Sequence, residues 1–304
     1  MAAGYRGVST MAESTWEVSE PERLDFDGPV TTLSVRLVNG TVNVVGVDDT
    51  APPSEQRGAR LEVSEIHGPP LIVTRSGSTL TITYEDLHWQ NVLKWLDHKS
   101  RTRHAVVSLT VPAGADVEVG VVGAGAVVSG IKGRTEVRGV NGDTTLVGLA
   151  GRVHAETVAG NVEAQAVTGD LRFHSVSGDL TVVDCAGSSV RADSVSGDMV
   201  IDLEPGKPTD VKVNTVSGEV AIRLPHPTDA TVEANTASGT VSNAFDDLRV
   251  GGHWGAKKIT GTLGAGTGQL RAVTVSGSIA LLRRPPTEDP YDTGHASPAA
   301  TKEH

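Results

Sequence analysis

Apolar and polar residues alternate with a period of two through most of the chain, and glycine-containing turns interrupt the alternation at short intervals. Between Phe26 and Tyr84 it runs through segments such as LSVRLVNGTVNVVG, LIVTRS and LTITYED. This pattern places apolar side chains on one face of a β-strand, and breaks rich in Gly, Pro and Asn mark turns. It predicts a flexible terminus at residues 1–20 and an N-terminal β-region at 21–85.

Residues 86–104, DLHWQNVLKWLDHKSRTRH, depart from this alternation. The spacing i, i+3, i+4 and i+7 of one helical face is occupied by Trp89, Val92, Leu93 and Leu96. The segment is therefore predicted to be a short amphipathic helical insert. Strand patterning resumes at 105 and ends at 283, and the Pro-rich, polar residues 284–304 are predicted to be disordered.

An internal repeat of nine residues dominates the segment after the insert. Six consecutive units align as VNGDTTLVG, LAGRVHAET, VAGNVEAQA, VTGDLRFHS, VSGDLTVVD and CAGSSVRAD. Positions one, five and seven are mostly apolar and are expected to point inward. Two units, each a turn and a strand, make one coil of 18 to 21 residues. The chain is thus predicted to be all-β, with a right-handed parallel β-solenoid over 105–283.

The sixth unit breaks the pattern. Ser189 and Arg191 occupy its fifth and seventh positions, and a shift by one residue restores the apolar Val190 and Ala192. A one-residue β-bulge near Cys185 accounts for this shift. The glycine at the third position of each unit is expected at a sharp corner, often with a positive φ, where the following Asp or Asn suits the turn.

The repeated Val-Ser-Gly-Asp/Glu turns, LTVPAGADVEV at 109–119 and the early GPVTTLSVRLVNGTVNVVG resemble the bacterial DUF4097 β-strand-repeat proteins, also named putative adhesin or toastrack domains. The resemblance covers residues 26–283 and rests on repetition rather than on one diagnostic motif. It implies the solenoid fold, no catalytic residues and no cofactor. It also implies a regulatory or scaffolding setting beside envelope-stress and transcription-control proteins.

Composition limits the classes of partner and the cellular location that are expected. A formal net charge of -11 argues against nucleic acid, because phosphate-binding surfaces need clustered Lys and Arg. The lone Cys185 allows no intrachain disulfide, and the N-terminus, starting at Met1 or Met11, lacks an apolar run of signal-peptide length. A cytoplasmic protein is expected, at most peripheral to the inner membrane surface.

Two candidate sites emerge. The first is a column of polar side chains recurring once per coil, for which exposed turn residues are the favoured interpretation and a Ca²⁺ ladder the alternative. Its members are Asp143, Asn161, Asp179, Asp198 and Glu219. The second is the insert, whose tryptophans and cations are typical of a partner-docking or membrane-surface helix, unless the helix caps the solenoid. Its candidates are Trp89, Lys94, Trp95, Lys99, Arg101 and Arg103.

Other chemistry-bearing residues are weaker candidates. The spacing of His88, His98 and His104 matches no metal motif, His154 and His174 are expected on the surface, and Cys185 should be a buried, inert thiol.

The sequence predicts a non-catalytic interaction scaffold that binds a protein partner, with peripheral membrane contact as a further option. A surface adhesin is one alternative, but it needs an export route. A polysaccharide-acting β-helix enzyme is the other. It needs clustered acids and aromatic platforms, whereas aromatic residues in the solenoid are limited to Phe173, Phe245 and Trp254.

Overall fold

The computed structural model describes residues 13–48, 58–85, 103–204 and 210–284, which form 26 β-strands and no helix. The strands make two sheets, one of 14 and one of 12 strands, and the apolar side chains of both sheets share one core. The all-β prediction is confirmed.

The strands run, in chain order, β1 Glu13–Val18, β2 Glu22–Phe26, β3 Thr32–Leu37, β4 Asn39–Val47, β5 Ala59–His67, β6 Leu71–Ser76, β7 Thr79–Thr83, β8 His104–Pro112, β9 Asp116–Val121, β10 Gly125–Ser129, β11 Thr135–Gly139, β12 Thr144–Val147, β13 Val153–Thr157, β14 Val162–Gln165, β15 Leu171–Ser175, β16 Leu180–Cys185, β17 Ser189–Ser194, β18 Met199–Leu203, β19 Asp210–Thr215, β20 Val220–Leu224, β21 Ala230–Thr236, β22 Val241–Asn243, β23 Leu248–His253, β24 Ala256–Leu263, β25 Gly268–Thr274 and β26 Ile279–Arg283.

From β9 to β20, successive strands alternate between the two sheets, and each strand up to β18 pairs in parallel with the strand two places further along the chain. Thus Val117 pairs with Thr135, Thr135 with Val153, and Val153 with Leu171, in steps of 18 residues. Each nine-residue unit supplies one strand, and two units complete one coil. The parallel solenoid predicted from the repeat is confirmed.

The coils at both ends of the solenoid are stacked out of chain order. Strands β3 and β4 lie between the pair β7–β8 and the pair β9–β10. At the other end, β25 and β26 lie between the pair β19–β20 and the pair β21–β22. At each end, two strands form a coil that is out of chain order: β3 and β4 come early in the chain, and β25 and β26 come late. The repeat interval therefore does not predict the order in which these coils stack.

Antiparallel strands cover the two ends. At the N-terminal end, β1 pairs with β6 and β2 with β5, and at the C-terminal end β23 and β24 form a hairpin on β21. The predicted helical insert is not confirmed: residues 86–102 lie outside the described residues, and His104 belongs to strand β8. Residues 13–18 of the predicted flexible terminus form strand β1, and residues 1–12 lie outside the described residues. The other predicted boundaries of the regions stay predictions.

The two corners of the coil orient the first position of the repeat in opposite directions. The valine corner is the set of turns from the 14-stranded to the 12-stranded sheet, where the first-position residues are exposed by 47–51 %: Val158, Val176, Val195, Val216 and Val275. The buried corner is the set of return turns, where the first-position residues are fully buried: Ile131, Leu149, Val167 and Cys185. The expectation that every first position points inward is therefore wrong for half of the units.

A left-handed residue explains the difference. At the buried corner, the residue before each buried first position has a positive φ, namely Gly130 at 69°, Gly148 at 62°, Ala166 at 53° and Asp184 at 54°. This conformation breaks the in-out alternation of the strand, so the next side chain turns into the core. At the valine corner the residues before Val158, Val176, Val195, Val216 and Val275 are not left-handed, alternation continues, and the valine stays outside.

The repeat glycines are needed for a different reason from the one expected. Between 133 and 277, a positive φ among the third-position glycines occurs at Gly197 and Gly218 alone. A Cβ on Gly160 would lie 2.1 Å from the Gly142 carbonyl oxygen, and a Cβ on Gly169 would lie 1.8 Å from that of Gly151. Close stacking of one coil on the next, more than backbone freedom, therefore requires glycine at both corners.

The predicted slip of register is confirmed. Leu171 pairs with Val190 and Phe173 with Ala192, a step of 19 residues, and the ladder of β16 is irregular between Val182 and Cys185. Left-handed Asp184 lies within that irregular stretch.

Candidate functional site

The outer face of the 14-stranded sheet, here called the charged face, carries columns of charged side chains in register. Along its centre, four cations follow one another on β15, β17, β19 and β25, with neighbouring strands about 4.8 Å apart. They are Arg172, Arg191, Lys212 and Arg271. Period-two alternation places them outside because their neighbours on each strand fill the core.

Carboxylates flank the central column. Arg191 pairs with Asp210 at 3.4 Å, and His174 pairs with Asp193 at 3.6 Å. Arg172, Lys212 and Arg271 have no ion-pair partner within 4.0 Å among the described residues. Their charges are thus available to groups approaching from outside.

Further toward the N-terminus the face forms an ion-pair network around Arg138, which contacts Glu136 and lies 3.3 Å from Glu156. His154 is hydrogen-bonded to Glu156 at 2.7 Å between Nε2 and Oε1. The hydrogen bond from His154 and, to a smaller extent, the guanidinium of Arg138 hold the pKa of Glu156 below its ordinary value. The carboxylate is therefore kept ionised to lower pH.

Two shallow grooves lie on the charged face. One of about 470 Å³ is lined by the central cations together with His174 and Asp193. The other, of about 700 Å³, extends over Arg134, Arg152 and Asp170. Such grooves can accept charged and polar groups from a partner along the direction of strand stacking.

The outer face of the 12-stranded sheet differs in chemistry. Its outward positions on β12, β14 and β16 are mostly small or uncharged, with Glu163 and the Arg284-paired Asp184 as the charged side chains: Thr145, Val147, Glu163, Gln165, Thr181, Val183 and Asp184. The two faces of one solenoid are therefore distinguishable to a partner.

The valine corner forms an apolar ridge beside the charged face. A groove of about 360 Å³ runs along it between Val140, Val158 and Val176 on one side and Arg138 and His174 on the other. Sequence reasoning missed this ridge because it placed all first-position residues in the core.

Hydroxyl side chains support the valine corner. The Oγ atom of Thr157 accepts a hydrogen bond from the Gly160 N–H at 2.9 Å, and that of Ser175 accepts one from the Gly178 N–H at 2.7 Å. At the two left-handed glycines the roles reverse, since Ser194 and Thr215 donate to backbone carbonyls. The Ser or Thr that precedes each exposed valine from Val158 onward was the sequence signal for this corner.

The predicted carboxylate column is a hydrogen-bonded ladder. The Oδ1 atom of Asp143 accepts from the Asn161 N–H at 3.1 Å, and the same bond links Asn161 to Asp179 at 3.1 Å, Asp179 to Asp198 at 2.8 Å and Asp198 to Glu219 at 2.7 Å. The side chains thus satisfy backbone donors of the next coil. Among the described residues, no group of three or more His, Cys, Asp or Glu side chains is arranged to hold a metal ion.

Most of the predicted docking residues lie outside the described residues: Trp89, Lys94, Trp95, Lys99 and Arg101. Arg103 is described. Its guanidinium lies over the ring of Tyr84 at 5.4 Å, and its carbonyl accepts a hydrogen bond from Asn39. Burial raises the pKa of Tyr84 to about 12, against the opposing effect of Arg103.

The remaining candidate residues are the histidines near the predicted insert and Cys185. His104 lies 3.5 Å from Glu65, whereas His88 and His98 lie outside the described residues. Cys185 is buried as predicted, and burial raises the pKa of its thiol, which disfavours the thiolate. The described residues contain no helix of the length and apolarity needed to cross a membrane.

Two of the solved structures that are similar to this chain share little sequence identity with it. A putative cell adhesion protein from Clostridium sporogenes is 12% identical, with a TM-score of 0.25, covering 87% of this chain and 99% of the other. A putative lipid binding protein from Parabacteroides distasonis is 11% identical, with a TM-score of 0.45, covering 86% and 97%. No curated protein matches the sequence.

A family model matches residues 63–282, which span the whole repeat and the strands that lead into it. The match agrees with the alternating two-sheet coils and with the resemblance in the turns. The chain belongs to the Toastrack family DUF4097.

Proposed function

We propose that the protein is a non-catalytic interaction scaffold that binds a protein partner on its charged face. The observation that carries this proposal is the column of Arg172, Arg191, Lys212 and Arg271, held in register on four neighbouring strands. A rigid two-sheet core fixes the positions of these charges, so little ordering entropy is lost when a partner binds.

Charge arrangement supports a protein partner more than a uniform polyanion. The central cations alternate laterally with Asp170, Asp193 and Asp210, so the face carries both signs. A mixed pattern favours a partner with complementary charges of both signs, which sets specificity and register. We further propose that the scaffold acts in the cytoplasm, where cell fractionation can locate it.

Site-specific photocrosslinking in native cells tests the proposal. A photoreactive residue replaces Gln269, which is exposed and lines the groove on the charged face. The matched control replaces Gln165, which is exposed on the outer face of the 12-stranded sheet. A discrete protein adduct is expected from position 269 and not from 165.

The double variant Lys212→Gln with Arg271→Gln should reduce the yield of this adduct by about fivefold or more, because each lost charge weakens the complementary contact. Equal adducts from both positions, or no protein adduct from position 269, would overturn the proposal. Glycan hydrolysis by the purified protein would overturn its non-catalytic part.

A further inference from the structure

The hairpin of β23 and β24 extends the 14-stranded sheet at its C-terminal end. The 12-stranded sheet ends at β22, in the coil of β21, whereas the 14-stranded sheet continues through β24 to β23. Among the described strands, none faces the inner side of the hairpin beyond β22. Val250 lies on that face, opposite buried Ile259, and is exposed by 56 %.

The tip of the hairpin presents a tryptophan. His253 pairs with Ala256, which leaves Trp254 and Gly255 as a two-residue turn with φ values of 55° and 89°. Turns with two positive φ values favour Asn, Asp or Gly, and a bulky residue there is an outlier. Trp254 is 100 % exposed, so packing within the described structure does not account for it.

The hairpin is basic within an acidic chain. Residues 248–263 contain Arg249, Lys257 and Lys258 and no carboxylate, whereas the whole chain has a formal charge of -11. Lys258 lies 3.3 Å from Glu233 on β21, while Arg249 and Lys257 have no carboxylate within 4.0 Å among the described residues.

Carboxylates lie close to the base of the hairpin rather than at its tip. Asp246 and Asp247 precede β23, and Asp246 pairs with Arg283 at 3.3 Å. A groove of about 490 Å³ on the hairpin is lined by Arg249, His253, Lys257 and Lys258. Strand pairing places Arg249 and Lys258 on the outer side of the hairpin and Lys257 on its inner side, so cations border the groove from both sides next to the exposed tryptophan.

The geometry points to a membrane-docking tip, in which Trp254 enters the interface of a bilayer containing anionic lipid and the groove cations contact the headgroups. Tryptophan prefers that interface because its ring is apolar and its N–H is polar. Juxtaposed Lys and Arg side chains add attraction to anionic headgroups. This inference concerns the end hairpin of the sheet rather than the central column of Arg172, Arg191, Lys212 and Arg271, and it does not rest on the proposed function.

A protein partner fits the tip less well. Stable protein interfaces bury about 800 Å² on each side around a central cluster of anchors. The tip offers two exposed apolar side chains, Trp254 and Val250, at the end of a narrow hairpin. A bilayer requires no complementary pocket, so two such side chains with adjacent cations suffice for reversible docking.

Vesicle co-sedimentation of the full chain tests this inference. Vesicles of phosphatidylcholine with phosphatidylglycerol should bind the protein, and pure phosphatidylcholine vesicles should bind it much more weakly. Trp254→Ser should lower binding about tenfold, because the apolar ring no longer enters the interface. The pair Lys257→Gln and Lys258→Gln should lower binding about thirtyfold.

A matched control removes two exposed cations elsewhere, by Arg172→Gln with Lys212→Gln, and should leave vesicle binding nearly unchanged. Lipids brominated in their acyl chains should quench the fluorescence of the wild type, and Trp254→Phe should bind while losing that quenching. Circular dichroism verifies that each variant folds.

Three results would overturn the inference. They are failure of the wild type to bind anionic vesicles, unchanged binding by the Trp254 and Lys257/Lys258 variants, and an equal loss in the Arg172/Lys212 control. If a photoreactive residue in place of Trp254 forms a protein adduct in cells while the Lys257/Lys258 variant keeps its vesicle binding, the tip docks on protein instead. Photocrosslinking at Gln269 stays independent of each of these results.

Discussion

The valine corner and the buried corner arise from the same nine-residue pattern, yet they perform opposite tasks. Both place a glycine against the carbonyl of the glycine one coil away. At the buried corner a left-handed residue turns Leu149 and Val167 into the core, whereas at the valine corner Val158 and Val176 stay about half exposed. One residue before the repeat position therefore decides whether a corner supports the core or presents a surface.

The largest expected effect tests what the two corners share. Gly160→Ala at the valine corner and Gly169→Ala at the buried corner should each destabilise the fold by about 3 kcal/mol or more, because the new Cβ overlaps a backbone oxygen that is fixed by the neighbouring coil. The urea midpoint of unfolding measures the loss.

Gly114 provides the matched control for these glycine substitutions. A Cβ at this position meets no atom within 4 Å, and its φ is not positive. Gly114→Ala should change stability by less than about 1 kcal/mol. Similar tolerance of alanine at Gly160 or Gly169 would show that the coils can separate locally, contrary to the close stacking.

The second-largest expected effect distinguishes the buried corner from the valine corner by the stability that a valine-to-alanine substitution costs at each. Val167→Ala should cost about 2–3 kcal/mol, since two methyl groups leave a core in which Val167 is fully buried. Val176→Ala, at the same repeat position in the next unit, should stay within about 0.5 kcal/mol because Val176 is half exposed. Equal losses for the two valines in chemical denaturation would contradict the opposite orientations.

Local periodicity made much of this fold predictable. The coil length, the strand alternation, the slip restored at Val190 and the burial of Cys185 all depend on spacing along the chain, which a single sequence displays. The orientation of the first position does not follow from apolar spacing, because both corners carry the same residue types there. The signal lay one residue earlier, as Ser175 before Val176 and Ala166 before Val167.

Other features lay beyond local pattern. Strands β25 and β26 stack between coils that come earlier in the chain. Their position depends on competition between the exposed edges of several coils, and the repeats are too similar for the sequence to indicate which edge is preferred. The exposure of Trp254 follows from the pairing of His253 with Ala256, which leaves Trp254 in a two-residue turn, and no local sequence pattern indicates that pairing. The polar column was found by spacing, but its hydrogen bonds between coils appear only in three dimensions.

The smallest effect concerns the residue that creates the difference between the corners. Ala166 holds a left-handed conformation at a φ of 53°, which costs an L-residue about 1–2 kcal/mol relative to glycine. Ala166→Gly should therefore stabilise the protein by about 0.5–1 kcal/mol, although glycine adds entropy to the unfolded chain.

Ser175 is the counterpart of Ala166 at the valine corner, and its φ is not positive. Ser175→Gly should destabilise by about 1–2 kcal/mol, because the Gly178 N–H loses its acceptor and the unfolded chain gains freedom. The two glycine substitutions should therefore change the stability of the protein in opposite directions. The thermal unfolding midpoints of the two variants measure these changes. Two changes of the same sign would mean that the left-handed residue does not set the orientation of the next side chain.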